Sequence, residues 1–404
     1  MQITKDAETR TPRGMSRSGL VLFSYGFRPF FLAAALWAIA SIGLWAAFLN
    51  YGVPVASEYG ALYWHAHEML FGFAPAVLAG FLLTAIPNWT GRLPISGPPL
   101  AVLFAVWCAG RIAMLAGGGI GVTAAAAIDS LFLPLMLALC AREVVAGKKW
   151  KDLKVVAGLA VLSVANLCFH IQVIGGGNPE LPIRLGLGAY VLLVTIVGGR
   201  ILPSFTRNWI NQRGRTDFPV PYNHFDTATV IAGAVSLASW AIWPDSIATG
   251  LLAAAAAVMN AARLARWRGW VTWPEPILFV LHAAYGFVPL GFAAIAFGAI
   301  GLSQVAVLHI FAIGAMSLMM LAVMTRASRG HTGRQLKSSR VTNASYIVLA
   351  AVAVLRPLAE LLPAVTVEIL LLSAIGWTVA FGLFALEHAP FLCRDRKPLV
   401  ARKP

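Results

Sequence analysis

The stretch WHAHEMLFGFAPAVLAGFLLTAIP, residues 64–87, opens with two histidines, a glutamate and a methionine and then runs almost entirely apolar. About 20 apolar residues in a helix cross the ~30 Å of bilayer hydrocarbon. The stretch therefore reads as a membrane span whose polar edge is Trp64-His65-Ala66-His67-Glu68-Met69. An ionisable side chain at the centre of such a helix costs ~2.5 kcal/mol or more, so intramembrane polar groups are functional-site candidates by default. Imidazole, carboxylate and thioether are also the side chains that hold transition metals.

The rest of the chain agrees with that solvent. Of 404 residues, 59% are hydrophobic and 12% charged, against ~25% charged in soluble domains. We read an all-α, polytopic membrane protein with about twelve transmembrane helices. The spans fall near residues 29–50, 65–86, 99–117, 121–141, 154–174, 182–203, 226–243, 247–267, 276–299, 301–323, 341–362 and 365–386. Spans three and four, and nine and ten, are separated by so little sequence that tight hairpins must join them. The lipid bilayer is thus the first partner.

The net charge of +15 does not indicate nucleic acid, because the basic residues sit in alternate loops. Lys148, Lys149 and Lys151 follow span four, Arg213 and Arg215 span six, Arg266 and Arg268 span eight, and Lys337 and Arg340 span ten. The positive-inside rule then puts both termini in the cytoplasm. Residues 1–28 become a cytoplasmic N-terminal tail, 29–388 the twelve-helix domain and 389–404 a cytoplasmic C-terminal tail. Met1 to Leu20 carries Lys5, Arg10, Arg13 and Arg17 and reads as a retained tail rather than a signal peptide. The cysteines, Cys108, Cys140, Cys168 and Cys393, form no CxxC or CxxCH, which argues against a zinc ribbon, an iron–sulfur site or covalent haem. No Walker loop, GxGxxG, GxSxG or HExxH supports a nucleotide or hydrolase reading.

An internal repeat runs through the spans. At an offset of 242, His67 maps to His309, Gly72 to Gly314, and Thr90-Gly91-Arg92 to Thr332-Gly333-Arg334. Span six fits at an offset of 116, with Gly188, Pro203 and Thr206 on Gly72, Pro87 and Thr90, but with isoleucine in place of the histidine. These offsets suggest three four-helix units about a pseudo-three-fold axis.

Depth and helical faces group the polar residues. His65, His67, His170 and His309 share the outer part of the bilayer. Residues two apart point to nearly opposite faces of a helix, so His65 and His67 should serve different neighbours, His65 sharing a face with Glu68 and Met69. Ser163, Asn166 and His170 form a polar stripe that must face the bundle interior. Asp129 is intramembrane, suited to carry protons or pair with an arginine. Arg111 and Arg356 lie at one outer depth, where an anionic cofactor edge or simple interfacial snorkelling explains them equally. His282 belongs to the inner part of span nine.

These residues resemble the NnrS family of bacterial membrane proteins. The resemblance covers almost the whole chain and rests on Gly26-Phe27-Arg28-Pro29-Phe30-Phe31, on the 64–69 motif, on residues 80–89, on Gly199-Arg200-Ile201-Leu202-Pro203 and on His309 to Arg334. It implies a cytoplasmic-membrane protein that contains haem and copper and protects against nitric oxide. It implies no ligand assignment. A looser likeness is to haem–copper oxidases, also twelve-helix proteins of pseudo-three-fold symmetry, which hold a haem by histidines on helices two and ten. The copper-binding histidines of those enzymes have no counterpart here.

The expected function is therefore a haem- and copper-containing protein that binds or turns over nitric oxide, with a membrane or periplasmic electron donor if it is an oxidoreductase. A secondary transporter, and a haem- or copper-handling protein without catalysis, are the alternatives. His67 and His309 are expected to ligate one non-covalent b-type haem, with His282 or His170 as substitute ligands and Arg111 and Arg356 at the propionates. His65, Glu68 and Met69, with His170, are expected to hold the copper. Glu68 and Asp129 are the candidate proton donors.

Overall fold

The structure, a computed structural model, describes residues 19–56 and 58–396. No strand occurs among them, and twelve helices are long and apolar enough to cross a membrane. They are α1 (Phe27–Tyr51), α2 (Ala61–Thr90), α3 (Pro98–Leu115), α4 (Val122–Ala146), α5 (Trp150–Ile174) and α6 (Glu180–Asn211). Then follow α7 (His224–Ile242), α8 (Ile247–Arg266), α9 (Pro276–Gly298), α10 (Gln304–His331), α11 (Arg340–Leu358) and α12 (Pro363–Cys393). The chain is a multi-pass membrane protein. The expected ends of the two tails, residues 1–18 and 397–404, lie outside the described residues.

Several boundaries follow from local chemistry. Proline opens α3 and α9, where its missing N–H costs nothing. Asn223 and Asp226 form a capping box at the start of α7. The two expected hairpins are present, and each turns on a glycine with positive φ, Gly121 at 88° and Gly301 at 114°. Helix α12 runs beyond its apolar core to Cys393, into the stretch expected to be tail. Just before that stretch Glu387 accepts hydrogen bonds from Arg329, Ser339 and Thr342, which satisfies a carboxylate near the helix end. The first and last helices meet at this end: Arg28 donates to the carbonyls of Leu392 and Arg394.

Burial separates an inner ring from an outer one. In α2, 89% of the most apolar window is buried, in α10 72% and in α6 and α9 61%, against 28% in α1. The three helices related by the sequence repeat are thus all interior. The 242-residue offset extends to backbone detail. A π-helical turn spans Glu68–Phe73 in α2 and another Ile310–Ser317 in α10, so both begin one residue after the repeat-related histidines. Gly91 and Gly333, equivalent at the ends of these helices, both adopt φ 73°. Helix α6, which lacks the histidine, is regular α-helix throughout.

Each π turn frees backbone carbonyls that need donors, and the fold supplies them. Tyr190 Oη donates to Leu70 O at 3.0 Å and Trp107 Nε1 to Gly72 O at 3.0 Å. In α10 the Ser317 hydroxyl donates to Ala312 O at 2.6 Å. π turns of this kind occur often at functional sites.

Candidate metal centre

Six elements converge next to the first π turn: α1, α2, α3, α4, α5 and the segment before α2. His67, the last residue before the turn, is fully buried. Its Nδ1 lies 3.0 Å from Glu68 Oε1, and its Nε2 lies 3.1 Å from Asp129 Oδ2 and 3.0 Å from Asn166 Oδ1. Asp129 is the last residue before a break in α4 at Ser130–Leu131. Pro134 explains the break, since it has no N–H for the Ser130 carbonyl four residues earlier. Asn166 and His170, one turn apart on α5, share the face that meets Asp129, at 2.9 Å through Asn166 Nδ2 and 2.9 Å through His170 Nε2. Ser163, the third member of the expected stripe, bonds its own helix at Leu159 O instead.

Arg111 closes the cluster from α3. Its Nη1 donates to Glu68 Oε2 at 2.5 Å, and its Nη2 pairs with Asp129 Oδ1. Trp37 Nε1 donates to the same Glu68 oxygen at 2.7 Å. A Cβ at position 72 would collide with Arg111 and Glu68, so Gly72 exists to admit the ion pair. On the far side Tyr59 Oη lies 2.9 Å from His170 Nδ1. Burial, reinforced by the charges of Asp129 and Glu68, pushes the Tyr59 phenol up, so it keeps its proton.

The charges in this dry space decide what it can hold. Two carboxylates face one guanidinium, leaving one negative charge in excess. An ionised carboxylate only accepts hydrogen bonds. His67, with a carboxylate at each nitrogen, therefore either carries two protons or donates from Nδ1 and offers Nε2 to a cation. A buried uncompensated charge is strongly unfavourable, so one cation, proton or metal, belongs here. His67, Asp129 and His170 each present a ligand atom, and no pair of these atoms is more than 4.8 Å apart. Metal–ligand bonds of ~2.0–2.2 Å at right angles separate ligand atoms by about 3 Å, the spacing seen between Asp129 Oδ2 and each imidazole. Glu68 behind His67 and Tyr59 behind His170 are the outer partners that orient metal-binding imidazoles.

The other expected site residues are distributed differently. Glu68 does not turn with His65: the π turn starting at Glu68 breaks the helical register, and the carboxylate meets His67 and Arg111. His65 stacks on Trp45 of α1 with ring centroids 4.7 Å apart. Arg111 is enclosed by its two carboxylates and does not stand free for a propionate. Nor is His309 gathered with His67, whose two nitrogens are both engaged in the centre. His309 instead lies in the neighbourhood of His65, with Arg356 near both. Its Nδ1 donates to Val305 O at 2.8 Å, which fixes the tautomer and leaves Nε2 as an acceptor. Arg356 pairs with Glu360 at 3.1 Å. Gly314 is filled by the Phe287 ring, so it cradles packing rather than a cofactor. His282 stands apart in α9, bonded to Thr206 Oγ1 at 2.8 Å. Tyr59 and Trp37 were not anticipated. Both read in the sequence as ordinary aromatic residues near a membrane interface.

Fold and centre together define a polytopic membrane protein with a buried group of imidazoles and carboxylates suited to a metal. The chain belongs to the NnrS family, whose model, described as NnrS protein, matches residues 21–396. No curated protein matches it. Membership links the chain to the nitric oxide response, and the family is associated with metal and haem binding.

Proposed function

We propose that this chain binds copper at His67, Asp129 and His170 and haem between His65 and His309, and that it binds or turns over nitric oxide to protect the cell. The observation that carries the reading is the convergence of two imidazoles and a carboxylate inside the bilayer region, beside a second carboxylate and a guanidinium. Imidazole and carboxylate donors suit copper. The same His, His, Asp set also suits non-haem iron(II), a second reading that elemental analysis separates from the first.

For haem, the donors fit on two counts. His309 is held in the tautomer whose Nε2 is free, and His65 Nδ1 is buried without a hydrogen-bond partner. Both imidazoles are half-buried. The residues that would hold them use opposite faces of α2, His65 meeting Trp45 and His67 meeting Asp129 and Asn166.

When bound, such metals supply nitric oxide ligation and one-electron chemistry. The protein's own residues orient and exclude. Glu68 holds the His67 ring, Tyr59 holds His170, and Phe71 and Phe169 pack on His67 at 5.5 and 5.1 Å between ring centroids, keeping water out. Nitric oxide is small and apolar, so it reaches a site of this kind through hydrocarbon. A bacterial cytoplasmic membrane, both termini inside, is the location the basic turns support.

The test is elemental analysis of protein purified from copper-replete cells. One copper per chain is expected, lost in His67→Ala and in His170→Ala at matched protein levels. Full copper in both variants would defeat the assignment, and iron in place of copper would favour the second reading.

A further inference from the structure

At the end of the molecule shared by the termini, a cavity of about 1140 Å³ opens between α5, α6 and α7. Helices α5 and α7 each pack on α6 but hardly on each other, which leaves a wedge along the flank of α6. Seven of its 22 lining residues are basic and only Asp152 is acidic. Lys148, Lys149, Lys151 and Lys154 ring one side; Arg200 and Arg207 project from α6. Asp152 is already paired with Arg200 at 2.7 Å. Deeper in, the walls turn apolar at Val155, Ile196, Val197 and Val230, all within membrane-spanning segments.

The base of the cavity holds a second observation. Arg263 lines it and is fully buried. Its Nε donates to Asp226 Oδ1 at 2.9 Å and its Nη1 to Thr195 O at 2.9 Å, while Nη2 lies over Gly199, another lining residue, with no hydrogen-bond partner. A buried guanidinium nitrogen without an acceptor is costly.

We propose that this cavity binds an anionic phospholipid, its phosphate among the lysines and its acyl chains along the valine wall. A lone phosphate would satisfy the cations but leave the apolar wall bare. An amphiphile covers both. Basic pockets between transmembrane helices suit anionic headgroups, and the basic turns put this end at the leaflet richest in them if the positive-inside orientation holds. The site is separate from the metal centre, which lies near the other end of α5, and does not depend on what that centre holds.

Full-length protein would be purified in neutral detergent and titrated by native mass spectrometry with phosphatidylglycerol, cardiolipin, phosphatidylcholine and inorganic phosphate. At least tenfold tighter binding of the anionic lipids than of phosphatidylcholine is expected. Lys149→Gln/Lys151→Gln should weaken it at least tenfold, and the equally charged control Lys337→Gln/Arg340→Gln should not. Val230→Trp, which fills the apolar wall and leaves every charge in place, should weaken it too. Equal binding of phosphatidylcholine would overturn the proposal, as would equal loss in the control pair. Inorganic phosphate that displaces the lipid completely while Val230→Trp binds normally would show a free-anion site and overturn it as well.

Discussion

Arg111 and Asp129 touch the same centre, yet their removal should push metal affinity in opposite directions. In the native chain Arg111 pairs with both Glu68 and Asp129, and Asp129 also meets both imidazoles and Asn166. Breaking a buried ion pair by removing one partner costs ~3–5 kcal/mol. In Asp129→Asn the guanidinium keeps Glu68, so we take the low end, ~3 kcal/mol, or roughly 150-fold in the folding equilibrium. Arg111→Met leaves two carboxylates uncompensated and should destabilise metal-free protein at least as much. Metal binding separates the two. Asp129→Asn loses the anionic ligand and should not retain stoichiometric metal. Arg111→Met removes a competing cation; one unit charge ~5 Å from another at an effective dielectric of ~20 is worth about 3 kcal/mol, so affinity should rise on the order of a hundredfold. Metal that binds only the folded chain also restores its stability by mass action. The assay is chelator competition combined with thermal unfolding in detergent, with and without metal. If Arg111→Met bound metal more weakly than the native chain, or Asp129→Asn bound it equally well, the reasoning would be refuted.

Other outcomes follow from single contacts. Gly72→Ala should abolish stable expression because its methyl meets Arg111, Glu68 and Trp37, whereas Gly43→Ala, with no atom within 4 Å of the added carbon, should be neutral or gain up to ~1 kcal/mol; parallel detergent melts compare them. His65→Ala and His309→Ala should each reduce or shift the reduced-minus-oxidised haem bands while leaving copper content intact; bands unchanged in both variants would remove the haem assignment. Reporter fusions at Lys149, Arg213 and Lys337 should read cytoplasm and one at Gly177 periplasm, and a periplasmic signal at Lys337 would invert the orientation.

The twelve spans were legible because hydrocarbon imposes long apolar runs, and the repeat because helix ends that need Thr-Gly-Arg keep them at fixed spacing. The structure extends that repeat to paired π turns and matching αL glycines. The opposite facing of His65 and His67 was also readable from helical geometry. What failed was rotation beyond His67. A π turn leaves no composition signal, so Glu68 was placed with His65 although it turns to His67 and Arg111. Arg111 could be given a depth but not a direction, and its snug seat on Gly72 emerges only when α2 and α3 are side by side. Tyr59 precedes α2 by two residues and nothing in an isolated aromatic says that it reaches across to α5.

The central claim is that two imidazoles and one carboxylate hold a metal within the bilayer. X-ray absorption at the metal edge of purified protein tests it most directly. We predict a first shell of nitrogen and oxygen only, with the outer-shell scattering of two imidazoles in the native chain and of one in His170→Ala. A sulfur scatterer in the first shell, or imidazole scattering unchanged by the substitution, would contradict the account.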